Sequence, residues 1–190
     1  MRVIAGALKG RRLAPVKGRI RPTAAKVREA IFNILGGAVA DARVLDLFAG
    51  TGALGIEALS RGAREAVLVE DHPEALKVLC RNLENLGLTA QAQVLPLPVH
   101  TALKKLAARG ERFSLTFLDP PYGGGLAAEA LTALAAAAVL EPQAWVVAEH
   151  SRRESLPESL GGLSLRELRR YGDTQVAFYL AAEPETQEHP

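Results

Sequence analysis

Val44-Leu45-Asp46-Leu47-Phe48-Ala49-Gly50-Thr51-Gly52-Ala53-Leu54-Gly55 is the stretch from which the fold can be read. An apolar run broken by one carboxylate meets three glycines at G-x-G-x-x-G spacing, and a helical pattern over Ala53–Arg61 follows. Strand, tight turn and helix in that order form the first crossover of an open parallel sheet. Glycines there let the backbone turn sharply and let a ligand approach the helix N-terminus without meeting a Cβ atom. Glu70 closes the next apolar run, twenty residues after Gly50. A carboxylate at that strand tip can accept both hydrogens of a ribose diol. The pattern therefore predicts an adenosine-containing cofactor. The loop lacks the Lys-Ser/Thr ending of a phosphate-binding loop, which argues against nucleotide hydrolysis. Asp46 stands where dinucleotide fingerprints carry an apolar residue. Its charge suits a cationic sulfonium with an α-amino group and would repel a pyrophosphate.

Working outward, apolar runs suited to buried strands recur at Arg43–Phe48, Glu65–Glu70, Gln91–Leu95, Ser114–Asp119 and Ala144–Glu149. Helical patterns separate them at Pro73–Leu86, Val99–Arg109 and Leu126–Leu140. Leu163–Tyr171 and Gln175–Leu180 read as a closing hairpin about Gly172-Asp173-Thr174. The expected fold is α/β: a doubly wound, mostly parallel seven-stranded sheet ending in an antiparallel pair. Ahead of it, Arg2–Ala5 and Arg12–Val16 read as a small basic hairpin. Thr23 then caps a helix over Ala24–Leu35. The 190 residues divide into an extension 1–22, a body 23–181 and a tail 182–190.

A second cluster lies at the end of the fourth strand: Asp119-Pro120-Pro121-Tyr122, then three glycines. Strand carboxyl ends line the ligand crevice of such sheets, so Asp119 should face the glycine loop. Two prolines stiffen the backbone and remove two N–H donors. The Asp119 carboxylate and Pro120 carbonyl are left as acceptors beside an aromatic ring, a receptor for a planar amine.

With both clusters in view, the chain resembles class I S-adenosylmethionine methyltransferases acting on exocyclic amino groups, whose fold is Rossmann-like. Arg2-Val3-Ile4-Ala5-Gly6, Arg21-Pro22-Thr23, Val27-Arg28-Glu29-Ala30-Ile31-Phe32-Asn33 and Tyr171-Gly172-Asp173-Thr174 narrow the likeness. They are similar to the bacterial small-subunit (16S) ribosomal RNA guanine-N2 methyltransferases, from residue 2 to about 180. The resemblance implies S-adenosylmethionine as cofactor, held by Asp46, Phe48, Gly50, Thr51, Gly52, Glu70, Asp71 and Asp119, with Thr23 closing over it. It implies catalysis by Asp119, Pro120 and Tyr122 without a metal. The same acceptors would serve an adenine-N6 enzyme on DNA or RNA, the alternative reading. Relatives place a polar residue after the third strand to hold the adenine amine. Here Val94-Leu95-Pro96-Leu97-Pro98 has none, so backbone or apolar packing is expected instead.

Charge points the same way. Residues 1–28 carry nine basic side chains and no acidic one: Arg2, Lys9, Arg11, Arg12, Lys17, Arg19, Arg21, Lys26 and Arg28. The remainder holds 14 basic against 21 acidic residues, so a basic head sits on an acidic body. By charge alone such a head is either a footprint for a polyanion or an ordinary solvated basic face. The resemblance implies the phosphate backbone of ribosomal RNA, with all nine as candidate contacts. At 48% hydrophobic and 23% charged residues, disorder and membrane embedding are both disfavoured. One cysteine, Cys80, allows no internal disulfide and is expected to pack with the leucines of its helix. The four histidines are expected at the surface or in structural roles, with the crevice edge as an alternative for His150, and Trp145 is expected in the core. A monomer in the cytoplasm, acting on ribosomal RNA or a subunit-assembly intermediate, is the expected setting.

Overall fold

The computed structural model describes residues 1–15, 23–121 and 123–183, with Thr23 and Ala24 described by backbone alone. The chain runs α1 (Thr23–Leu35), β1 (Arg43–Asp46), α2 (Ala53–Ser60), β2 (Glu65–Val69), α3 (Pro73–Leu86) and β3 (Ala92–Leu95). It continues through α4 (Val99–Ala108), β4 (Phe113–Leu118), α5 (Leu126–Ala136), β5 (Leu140–Ser151), β6 (Ser159–Leu160), β7 (Leu163–Tyr171) and β8 (Thr174–Ala181). One sheet holds every strand in the order β3-β2-β1-β4-β5-β8-β7-β6. The first five are parallel and the last three antiparallel.

Alternation along the strands explains the two layers. Val44, Leu68, Leu115, Phe117 and Val147 face α1, α2 and α3, joining Ile31, Phe32, Ile56, Leu79 and Leu83. Leu45, Val67, Val69, Val146 and Ala148 face the other way, toward Leu103, Leu106, Leu131 and Leu134 of α4 and α5. Strands covered on both faces have no polar side to show, which is why they read as unbroken apolar runs.

The sheet has eight strands where seven are expected. The extra one, β6, is a two-residue edge paired with β7, too short for alternation to reveal. Helix α5 stops at Ala136, short of the expected Leu140, and the backbone of Ala138 has φ of +50°. Strand β5 begins at Leu140, ahead of the expected Ala144. Leu140 pairs with Phe113, the register then shifts, and Trp145 pairs with Leu115. Pro142 sits in that irregular stretch, where a missing N–H breaks no ladder bond. The N-terminal hairpin closes on one antiparallel bridge, Arg2 with Arg12. Val16, its expected last residue, lies outside the described residues.

Candidate active site

The glycine loop is held from three directions. Gly50 N–H donates to Glu70 Oε2 at 2.8 Å, and the other Glu70 oxygen accepts from the amides of Asp71 (3.0 Å) and His72 (2.8 Å). Gly52 N–H turns back to the Ala49 carbonyl at 2.7 Å. The Thr51 carbonyl accepts from Asn82 Nδ2 at 2.9 Å. Gly52 has φ of +85°, and a Cβ there would lie 2.7 Å from Leu79 Cδ1 and 2.8 Å from Ile56 Cδ1. Only glycine fits that turn.

Asp46 lies beneath the loop at 1% exposure. Its Oδ2 accepts from Gly55 N–H at 3.2 Å, while Oδ1 has no hydrogen-bond partner among the described residues. Burial pushes its carboxyl up to about 7; the Gly55 and Phe48 amides oppose the rise and the nearby Glu70 charge adds to it. A buried oxygen left without a donor is costly unless a ligand supplies one.

The second cluster arrives at the same edge. β1 and β4 run parallel with Asp46 opposite Phe117, and Leu47 N–H donates to the Phe117 carbonyl at 3.0 Å. Asp119 and Pro120 follow Phe117 and Leu118 directly, as Phe48 and the glycine loop follow Asp46 and Leu47. Asp119 is half-buried and Pro120 buried. Two segments about seventy residues apart therefore end side by side. Tyr122 lies outside the described residues.

Beside the Glu70 end of the loop opens a cavity of about 180 Å³, lined in part by Phe48, Glu70, Asp71, Leu97, Val99 and Leu126. Leu97 and Val99 escape sequence reading because they carry no functional group, and what marks them is a shared wall with Glu70. This is the apolar setting expected after the third strand.

Of the basic candidates, Arg2, Lys9, Arg11, Arg12 and Lys26 are exposed. Lys17, Arg19 and Arg21 lie outside the described residues, as does the side chain of Thr23, which opens α1 itself instead of preceding it. Arg28 is no surface contact. It is 3% exposed, donates Nη2 to the Arg2 carbonyl at 2.8 Å and pairs with Glu57 at 3.7 Å. Burial lowers its guanidinium pKa; the Glu57 charge opposes that shift and Arg61 adds to it. Cys80 is exposed, a correction to its expected packing, because the buried face of α3 passes through Leu79, Asn82, Leu83 and Leu86. Trp145 packs against the core. His150 is 2% exposed, with Nδ1 3.0 Å from the Ser151 carbonyl, and burial lowers its pKa. It lies inside the protein at the end of β5.

Sequence reading also missed the polar hub that fastens residues 1–15, the strap, to the body. Glu57, 1% exposed, accepts from the amides of Ile4 (2.8 Å) and Ala5 (3.0 Å) and from Arg61 Nε (2.8 Å). Ser60 Oγ donates to the Ala5 carbonyl and accepts from Leu8 N–H. A Cβ on Gly6 would lie 1.7 Å from the Ser60 carbonyl oxygen, so the strap backbone rests directly on α2. Glu and Ser in a helix are ordinary surface residues by pattern, and only packing reveals their partners.

These residues fit S-adenosylmethionine. The unsatisfied Asp46 oxygen suits its cationic amino-acid end, Glu70 its ribose, and the apolar cavity its heterocycle. Parallel strands β3-β2-β1-β4-β5, an antiparallel end and a glycine loop after β1 define a Rossmann-like methyltransferase. The chain belongs to the family described as Conserved hypothetical protein 95, whose model matches residues 1–180. It is 44% identical over 180 residues to YlbH of Bacillus subtilis, a protein assigned as an rRNA methyltransferase, covering 94% of this chain and 98% of that one. It is 36% identical over 181 residues to ribosomal RNA small subunit methyltransferase D of Escherichia coli, covering 95% and 88%. The 16S rRNA guanine-N2 methyltransferase of Thermus thermophilus, solved with S-adenosylmethionine and guanosine, superposes with a TM-score of 0.68 at 27% identity. That match covers 88% of this chain and 44% of the other.

Proposed function

We propose that this chain transfers a methyl group from S-adenosylmethionine to the exocyclic N2 amine of a guanine in small-subunit ribosomal RNA. The meeting of the Asp119-Pro120 corner with the glycine loop carries the reading, and the family supports the choice of base and RNA. The bound cofactor supplies an electrophilic methyl group on a sulfonium centre. Asp46, Phe48, Gly50, Thr51, Gly52, Glu70 and Asp71 would hold it, and Leu97 and Val99 would offer its heterocycle an apolar wall.

The amine is a weak nucleophile because its lone pair is delocalised into the purine. The Asp119 carboxylate and the Pro120 carbonyl accept its two hydrogens, draw the nitrogen toward tetrahedral geometry and aim the lone pair. Asp119 gains importance as positive charge grows on that nitrogen, so its acceptance is stronger in the transition state. Tyr122 stacks on the purine. The base must leave its stack to enter, which favours a loop or bulge in the RNA. Arg2, Lys9, Arg11, Arg12, Lys17, Arg19, Arg21 and Lys26 hold the phosphate backbone. One chain acts alone in the cytoplasm, on rRNA or on a subunit-assembly intermediate that exposes the base.

Replacing Asp119 by Ala should lower kcat by about 10²–10³-fold while RNA binding persists. Methyl transfer to small-subunit rRNA followed by nucleoside analysis reads both rate and product. N6-methyladenosine as sole product would overturn the choice of base, and an undiminished rate would remove Asp119 from the chemistry.

A further inference from the structure

A groove separates the strap from α3. Arg2, Arg12, Ala14 and Pro15 form one wall and Arg81 and Asn85 the other, enclosing about 640 Å³. None of the described residues lining it is acidic. Arg11 donates Nη2 to the carbonyl of the groove residue Asn85 at 2.9 Å, and Arg2 is braced by a 2.8 Å bond from Nη1 to the Gly10 carbonyl. Arginines facing one another across an open channel without a carboxylate suit a phosphodiester chain. Arg81 lies far from the basic run of residues 1–28, so charge along the chain does not reveal it.

The neighbour of Arg81 points the other way. Asn82 is 1% exposed. Its Oδ1 accepts from Ala14 N–H at 2.8 Å, and Nδ2 donates to the Ala14 carbonyl at 3.2 Å and to the Thr51 carbonyl at 2.9 Å. A single buried amide thus grips both polar groups of a groove residue and the peptide between Gly50 and Gly52. The side chain that holds Ala14 of the strap is therefore the one that holds the Thr51 carbonyl of the glycine loop.

We propose that this groove binds a phosphodiester segment of the RNA substrate with Arg81 as a contact. We further propose that Asn82 is a positioning residue coupling occupancy of the groove to the cofactor loop. The inference rests on the rRNA methyltransferase reading and extends it: RNA and cofactor should raise each other's affinity by the same factor, through one named side chain.

The test measures S-adenosylmethionine affinity by calorimetry, with and without a saturating small-subunit rRNA transcript, together with the salt dependence of transcript binding. Wild type should bind the cofactor about tenfold more tightly with RNA present, within the usual range for coupled sites. Asn82→Ala should bring that factor close to one while the transcript still binds. Arg81→Ala should weaken transcript binding and lower the slope of log affinity against log salt by about one. A coupling factor unchanged in Asn82→Ala, or a salt slope unchanged in Arg81→Ala, would overturn the proposal. Should Asn82→Ala fail to fold, hydrogen exchange on the wild type decides. Transcript alone should slow exchange in residues 49–54 as well as in the strap, and protection confined to the strap would refute the coupling. Wild type binding no S-adenosylmethionine at all would remove the methyltransferase reading itself. That failure is distinct from intact binding without coupling.

Discussion

Two carboxylates, each 1% exposed, have opposite surroundings. Glu57, on the strap side of α2, is met by two backbone amides and two guanidinium groups. Asp46, beneath the glycine loop, accepts from Gly55 at 3.2 Å, is eased less by the Phe48 amide, and keeps an oxygen without a hydrogen-bond partner among the described residues. A buried charge that is fully met holds structure together. One left partly unmet is a cost that a cationic ligand can remove. The contrast separates a satisfied carboxylate from a partly unsatisfied one at equal burial, and it supports the cofactor role proposed for Asp46.

The largest expected effect tests the structural member. Glu57→Ala leaves Arg28 buried without its charge partner and strands the amides of Ile4 and Ala5. It should cost about 3–5 kcal/mol in urea unfolding, a large share of a typical domain's stability. A loss under about 1 kcal/mol would show that the strap is held by its apolar contacts instead.

Asp46→Asn should behave in the opposite way. Cofactor affinity should fall about ten- to a hundredfold, the worth of one hydrogen bond to a charged group. The urea midpoint of the cofactor-free protein should hold or rise. Linkage sharpens this. Folding raises the Asp46 carboxyl from its ordinary range to about 7, so the folded protein binds this proton more tightly than the unfolded chain does. Its stabilising contribution is complete at low pH and disappears as pH rises toward and past about 7. Wild type should therefore lose stability relative to Asp46→Asn between about pH 4 and about pH 7. A constant difference across that window would mean that Asp46 is not an unmet charge.

The smallest effect concerns Glu70, which stands between the two extremes: partly exposed, it holds three amides and also faces the cavity. Glu70→Ala should raise the KM for S-adenosylmethionine roughly tenfold, in keeping with a hydrogen bond of ordinary strength, and lower kcat less. A kcat loss exceeding the KM change would place Glu70 in the chemistry instead of in binding.

Much of the site was legible because its signals are local. Gly50, Gly52 and Glu70 sit at fixed offsets from a strand whose apolar run is unmistakable, and Asp119-Pro120-Pro121 marks the end of another. Other parts were not legible, for reasons of geometry. Arg28 reads as one more positive charge in a basic run, yet the turn of α1 that buries Val27, Ile31 and Phe32 carries it inward as well. Cys80 sits beside Leu79, but one residue along a helix is a rotation of about 100°, enough to pass from core to solvent. Glu57, Ser60 and Asn82 belong to no motif, since the strap groups they hold lie roughly fifty residues or more away in the chain.

By itself, then, the order of residues determined the alternation of strands and helices, the turn after the first strand and the family, because these depend on periodicity and short-range spacing. Only the folded chain decided which polar side chains are satisfied and which await a partner. Satisfaction depends on who stands within about 3 Å, and that distance is settled by packing between segments far apart in the sequence.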